Sequence, residues 1–114
     1  MNRIVLFSGL VCLGTQTAIA GPVTDTCMAY NDAKVCECAT EALKDEIGYK
    51  DFAYYSAASA TALERQSGGD SLVDAWDVAT TNHGKAAGVS GTEALNQMNA
   101  FGSAHRDAIK KCEG

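Results

Sequence analysis

The chain has a single proline, Pro22, so nothing downstream carries the ring that breaks a helix interior or marks an edge strand. No stretch alternates apolar with polar residues, and β-branched residues are scattered, which excludes a half-buried sheet as the organising element. Histidine is scarce, with only His83 and His105. Neither has a carboxylate at a recognisable ligand spacing, so a histidine-based metal centre is not expected. The sequence contains no G-x-S-x-G, no H-E-x-x-H and no phosphate-cradling glycine loop. Basic residues are outnumbered, nine Lys and Arg against fourteen Asp and Glu, for a formal net charge of −5. A surface of that sign does not displace counterions from a nucleic acid or settle on an anionic membrane.

What is present begins with an export signature. Arg3 gives a basic start, Ile4 to Gly14 an apolar run, and Ala18-Ile19-Ala20 a small-residue cleavage site. Residues 1–20 are therefore expected to be a signal peptide, too short for a spanning helix, which needs about 20 apolar residues. Cys12 has Val11 before it, where a lipoprotein site wants a small residue. No membrane anchor is expected after cleavage, and the location is expected to be periplasmic or secreted. Residues 21–114 then form one domain, which is all this length supports.

Helix punctuation recurs along residues 21–114. Thr24 or Asp25 can cap a short first helix through about Tyr30, and Asn31-Asp32 reads as a turn and a new cap. A second helix is expected from Ala33 to about Ile47, stopping at Gly48, and a third from an Asp51 cap to about Gln66, ended by Gly68-Gly69. Ser71 with Asp74 and Ser90 with Glu93 have the spacing of capping boxes for two further helices. The fourth is expected to end near His83-Gly84 and the fifth to reach Lys111 or Cys112. In the last, Leu95, Met98, Gly102, His105, Ile109 and Cys112 share one face. Gly102 is expected to receive a closely packed neighbour such as Trp76. The fold class is all-α: a small disulfide-stapled helical bundle of four main helices plus a short N-terminal helical turn.

Four cysteines remain beyond the signal: Cys27, Cys36, Cys38 and Cys112. An even number in an exported chain implies two disulfides. Cys36 and Cys38 point roughly 160° apart on a helix and cannot bond to each other. A hairpin at Asn31-Asp32 favours Cys27 with Cys36, which leaves Cys38 for Cys112; Cys27 with Cys38 and Cys36 with Cys112 is the main alternative. A thiol-redox or metal role for the Cys36/Cys38 pair is the reading these staples compete with, because the pair lacks C-x-x-C placement at the head of a helix.

The functional expectation is a non-enzymatic protein that binds another protein or a small apolar ligand, with no cofactor. Ser56, Ala60 and Thr61 on the small-residue third helix are candidates for a binding surface. Tyr54 is the candidate exposed anchor and Tyr55 lies beside it. Trp76 and His105 are the candidate buried polar cluster, and Asn99 and Arg106 could join it. An alternative is a periplasmic acid-stress holdase, whose bundle loosens when carboxylates lose charge at low pH.

Overall fold

Residues 21–114 are described by a computed structural model; the expected signal segment, with Arg3 and Cys12, lies outside the described residues. The described chain forms α1 (Pro22–Met28), α2 (Ala33–Ile47), α3 (Tyr49–Ser67), α4 (Leu72–Ala86) and α5 (Gly91–Glu113), with no strand among the described residues. This is the expected all-α bundle. Helix α2 packs on α3, α3 on α4, α4 on α5, and α5 returns to α2, while α1 lies against α2 and α3.

Local chemistry explains the boundaries and corrects several of them. Helix α1 starts at Pro22 and not behind a Thr24 or Asp25 cap. Proline has the helical φ already and lacks the N–H that a first-turn residue leaves unpaired. Asp32 caps α2 by accepting from the Val35 amide at 2.9 Å. Helix α3 begins two residues before Asp51, directly after Gly48. Gly48 is the whole joint between α2 and α3, and its φ of +90° is one that side-chain-bearing residues rarely adopt. Asp51 instead sits in the first turn, where its charge suits the helix dipole. Ser71 and Ser90 cap α4 and α5, accepting from the Asp74 and Glu93 amides at 3.1 Å. Asp70 pairs with Arg65 Nε at 2.8 Å across the Gly68-Gly69 turn.

The core is built from small residues around a few large ones. Ala58, Ser59 and Ala62 of α3 and Ala75 and Ala79 of α4 are buried, so these two helices approach closely. On α5 the buried positions are Ala94, Met98, Phe101, His105 and Ala108. Their 4-3-4-3 spacing is a heptad seam. The seam keeps Met98 and His105 of the expected face but takes Ala94, Phe101 and Ala108 in place of Leu95, Gly102 and Ile109: Phe101 enters the core, whereas Leu95 is exposed.

Two disulfides staple the helices. Cys27 bonds to Cys36, and Cys38 to Cys112, the pairing that the hairpin geometry favoured. Cys36 is fully buried, and Thr24 and Thr40 meet beside it through their hydroxyls at 2.8 Å. The second bond spans 74 residues and ties the last turn of α5 to α2. In the chain-entropy view a loop of that length contributes about 4 kcal/mol, against about 2.5 kcal/mol for the short one.

The closely packed glycine is Gly84, not Gly102. A methyl group at Gly84 would lie 2.5 Å from Ala94 Cβ, whereas one at Gly102 meets nothing within 4 Å. Ala94 is held by its own backbone and cannot give way. Gly84→Ala is therefore expected to lower stability by about 1–3 kcal/mol. Gly102→Ala should raise it by about 0.5–1 kcal/mol through helix propensity. Urea unfolding of the two variants checks the contrast; equal shifts would contradict the packing described.

Candidate functional site

Tyr55 sits where α3, α4 and α5 converge. Its ring stacks with Trp76 at 5.9 Å and 21°, meets Phe101 at 5.7 Å, and stands edge-on to His105 at 5.9 Å and 82°. Its hydroxyl lies 3.3 Å from His105 Nδ1. The expected Trp76 and His105 cluster thus forms around Tyr55, with Trp76 half-buried at the surface side and His105 buried behind.

Burial governs the protonation of this cluster. It pushes the Tyr55 phenol up to about 12 and pushes the His105 imidazole down, because each charged form loses water on entering the core. His105 Nε2 is buried without a hydrogen-bond partner among the described residues. A neutral imidazole carries one N–H and one lone pair. If the Tyr55 hydroxyl donates to Nδ1, the remaining proton sits on Nε2 and is unpaired.

In front of Tyr55 a groove of about 430 Å³ opens between α4 and α5. Tyr55, Trp76 and Met98 form its floor and inner wall, and Gly102 leaves depth where a side chain would fill it. Leu72, Val73 and Leu95 stand at its mouth, 46 %, 76 % and 52 % exposed. Asp74, Asp77, Thr80 and Asn99 supply its polar lining. A volume of this size, mostly apolar with a few polar groups, has the proportions of a small-molecule site. The turned α5 seam creates it: with Phe101 in the core, Leu95 and Gly102 are left facing α4. The sequence held a signal for this in the heptad Ala94-Phe101-Ala108, which the Leu95-based face obscures.

The candidate surface on α3 is distributed differently. Tyr54 is not an exposed anchor. It packs edge-on against Phe101 at 6.0 Å with its hydroxyl buried and unpartnered. Burial, and the Glu93 carboxylate next, push that phenol up. Ser56 lines a second hollow of about 220 Å³ beneath α1, with Lys44 and Phe52. Thr61 is bonded to His83 Nε2 at 2.8 Å, which draws His83 to α3 instead of the end of its own helix. Only Ala60 remains exposed. The exposed tyrosines are Tyr30 and Tyr49, outside the residues expected to form the surface. Arg106 is on the outside and does not join His105.

Cys36 and Cys38 face different partners, and among the described residues no three His, Cys, Asp or Glu side chains converge as metal ligands. No described helix is long and apolar enough to cross a membrane. Comparison with protein-family models, with curated proteins and with solved structures finds no match for the chain.

His105 makes stability depend on pH. Its folded pKa lies below the unfolded value of about 6.5, so below that pH the unfolded chain binds a proton that the folded chain refuses. Stability contributed by the neutral ring is complete above about pH 6.5 and falls as pH drops toward the folded pKa. His105→Gln is expected to flatten the dependence between about pH 7.5 and 5, read as the urea midpoint at each pH. An unchanged slope would assign the acid sensitivity elsewhere.

Proposed function

We propose that this is an exported, non-enzymatic binding protein whose site is the groove between α4 and α5. The observation that carries the reading is the groove itself: about 430 Å³, apolar at floor and mouth, and open beside Gly102. Leu72, Val73 and Leu95 expose apolar surface around one opening, and grouped exposure of that kind marks a binding site more often than scattered exposure does. Of the two occupants expected from the sequence, protein or small apolar ligand, the concave shape favours the small ligand. Two disulfides support export to an oxidising compartment, periplasmic or extracellular.

The uncharged dye N-phenylnaphthylamine tests the reading. It is expected to bind at one site with a rise in its emission, and Gly102→Leu, which fills the groove, should weaken that binding at least tenfold, a loss of about 1.4 kcal/mol. Circular dichroism should show the variant folded. Saturable binding unaffected by Gly102→Leu would place the ligand elsewhere, and no binding at all would sink the groove as a site.

A second reading, the acid-stress holdase, is favoured by one observation: a histidine buried at the centre of the core with an unpartnered Nε2. Protonating it there is opposed by burial, and acid also neutralises the carboxylates outside. At about pH 2–3 the bundle is then expected to loosen, bind the dye anilinonaphthalene sulfonate and slow aggregation of a denatured client. Compact structure without dye binding at that pH ends the holdase reading.

A further inference from the structure

We propose that the groove selects an amphiphilic organic cation, an alkylammonium with an apolar body, over neutral or anionic molecules of the same length; this rests on the groove being the binding site. Three observations carry it. Asp74 and Asp77, one turn apart on α4, both line the groove, and among the described residues no Lys, Arg or His lines it. Neither carboxylate has an ion-pair partner among the described residues, so their field is uncompensated at the mouth. Thr80, only 7 % exposed, lines the inner wall with a hydroxyl that bonds to no described residue.

These groups divide the ligand between them. The ammonium lies against Asp77 and Asp74, where it makes charge-assisted hydrogen bonds. Thr80 stands one turn further along the same helix face as Asp77 and offers an acceptor to a remaining N–H. Trp76, on the same wall, presents an indole to which cations are attracted. The alkyl body displaces water from Met98, Leu95 and the space beside Gly102. A fatty-acid carboxylate fits the same apolar volume and meets two like charges, so charge, not shape, separates the two.

Trp76 is the only tryptophan in the chain, so its emission reports occupancy directly. Octylammonium, octanol and octanoate are titrated below their aggregation concentrations into the purified protein. Octylammonium is expected to bind roughly tenfold tighter than octanol, from two partly exposed carboxylates, and octanoate weaker than octanol. Added salt should narrow the spread. Asp74→Asn combined with Asp77→Asn should bring octylammonium down to the octanol value measured on the same variant. Equal binding of all three probes overturns the charge selection and leaves the groove standing as an apolar site. A preference for octylammonium that survives the double variant overturns the role of the two carboxylates. Failure of all three probes together with N-phenylnaphthylamine removes the groove as a site, and the cation with it.

Discussion

The packing of one ring, Tyr55, constrains the rest of this bundle. A phenol that size can be buried only if three helices leave room for it and one of them supplies a polar partner for its hydroxyl. The chain meets both demands. Ala58, Ser59 and Ala62 on α3 and Ala75 and Ala79 on α4 bring those backbones close, so the ring projects from α3 into the space that α5 must close. Helix α5 then presents Phe101 against the ring and His105 to its hydroxyl. A purely apolar residue in place of His105 would leave the phenol unpaired, at a cost of about 1–3 kcal/mol. The histidine removes that cost but brings a buried Nε2 that has no partner. The core is therefore most stable with the imidazole neutral.

The position of α5 is fixed at both ends, which holds its contacts to Tyr55 in place. At the start, Ser90 caps it and Gly84 lets Ala94 come within contact of α4. At the finish, Cys112 is bonded to Cys38. Between these anchors the heptad seam turns Phe101 inward, and the neighbouring Leu95 and Gly102 fall on the α4 side. The groove is thus a consequence of how Tyr55 is buried: the face of the aromatic cluster that α5 does not cover is left open beside Trp76. Fold and candidate site share the same side chains, so changes to Tyr55 or Phe101 act on both, while Asp74 and Asp77, exposed on α4, act chiefly on the groove.

The all-α class and the caps at Asp32, Ser71 and Ser90 were legible because each depends on residues close in sequence or on a helix period; the same local geometry favoured the Cys27–Cys36 bond but left the Cys27–Cys38 alternative open. A serine three residues before an acidic residue, or two cysteines separated by one residue on a helix, carries its geometry with it. What could not be read was rotation of a helix about its axis. Leu95 is a more hydrophobic choice than Ala94 for a core, yet Ala94 is inside, because Gly84 on α4 admits only a small side chain there. That requirement comes from another helix. The same blindness made Gly102 look tightly packed and Tyr54 look exposed. The Thr61 and His83 hydrogen bond was equally hidden, since it joins residues 22 apart.

The cysteine cluster at 27–38 has a narrower role than its density suggests. Its two bonds leave α2 two residues apart and reach different helices: one closes the short turn from α1 to α2, the other holds the end of α5. Neither sulfur pair lines the groove. In a small domain where half of the described buried hydrophobic residues are alanine, the area buried per residue is low and covalent closure of a long loop offsets part of the chain entropy. The staples therefore allow a core thin enough to leave an open groove beside its only tryptophan, a void that a bundle relying on side-chain packing alone would have to fill.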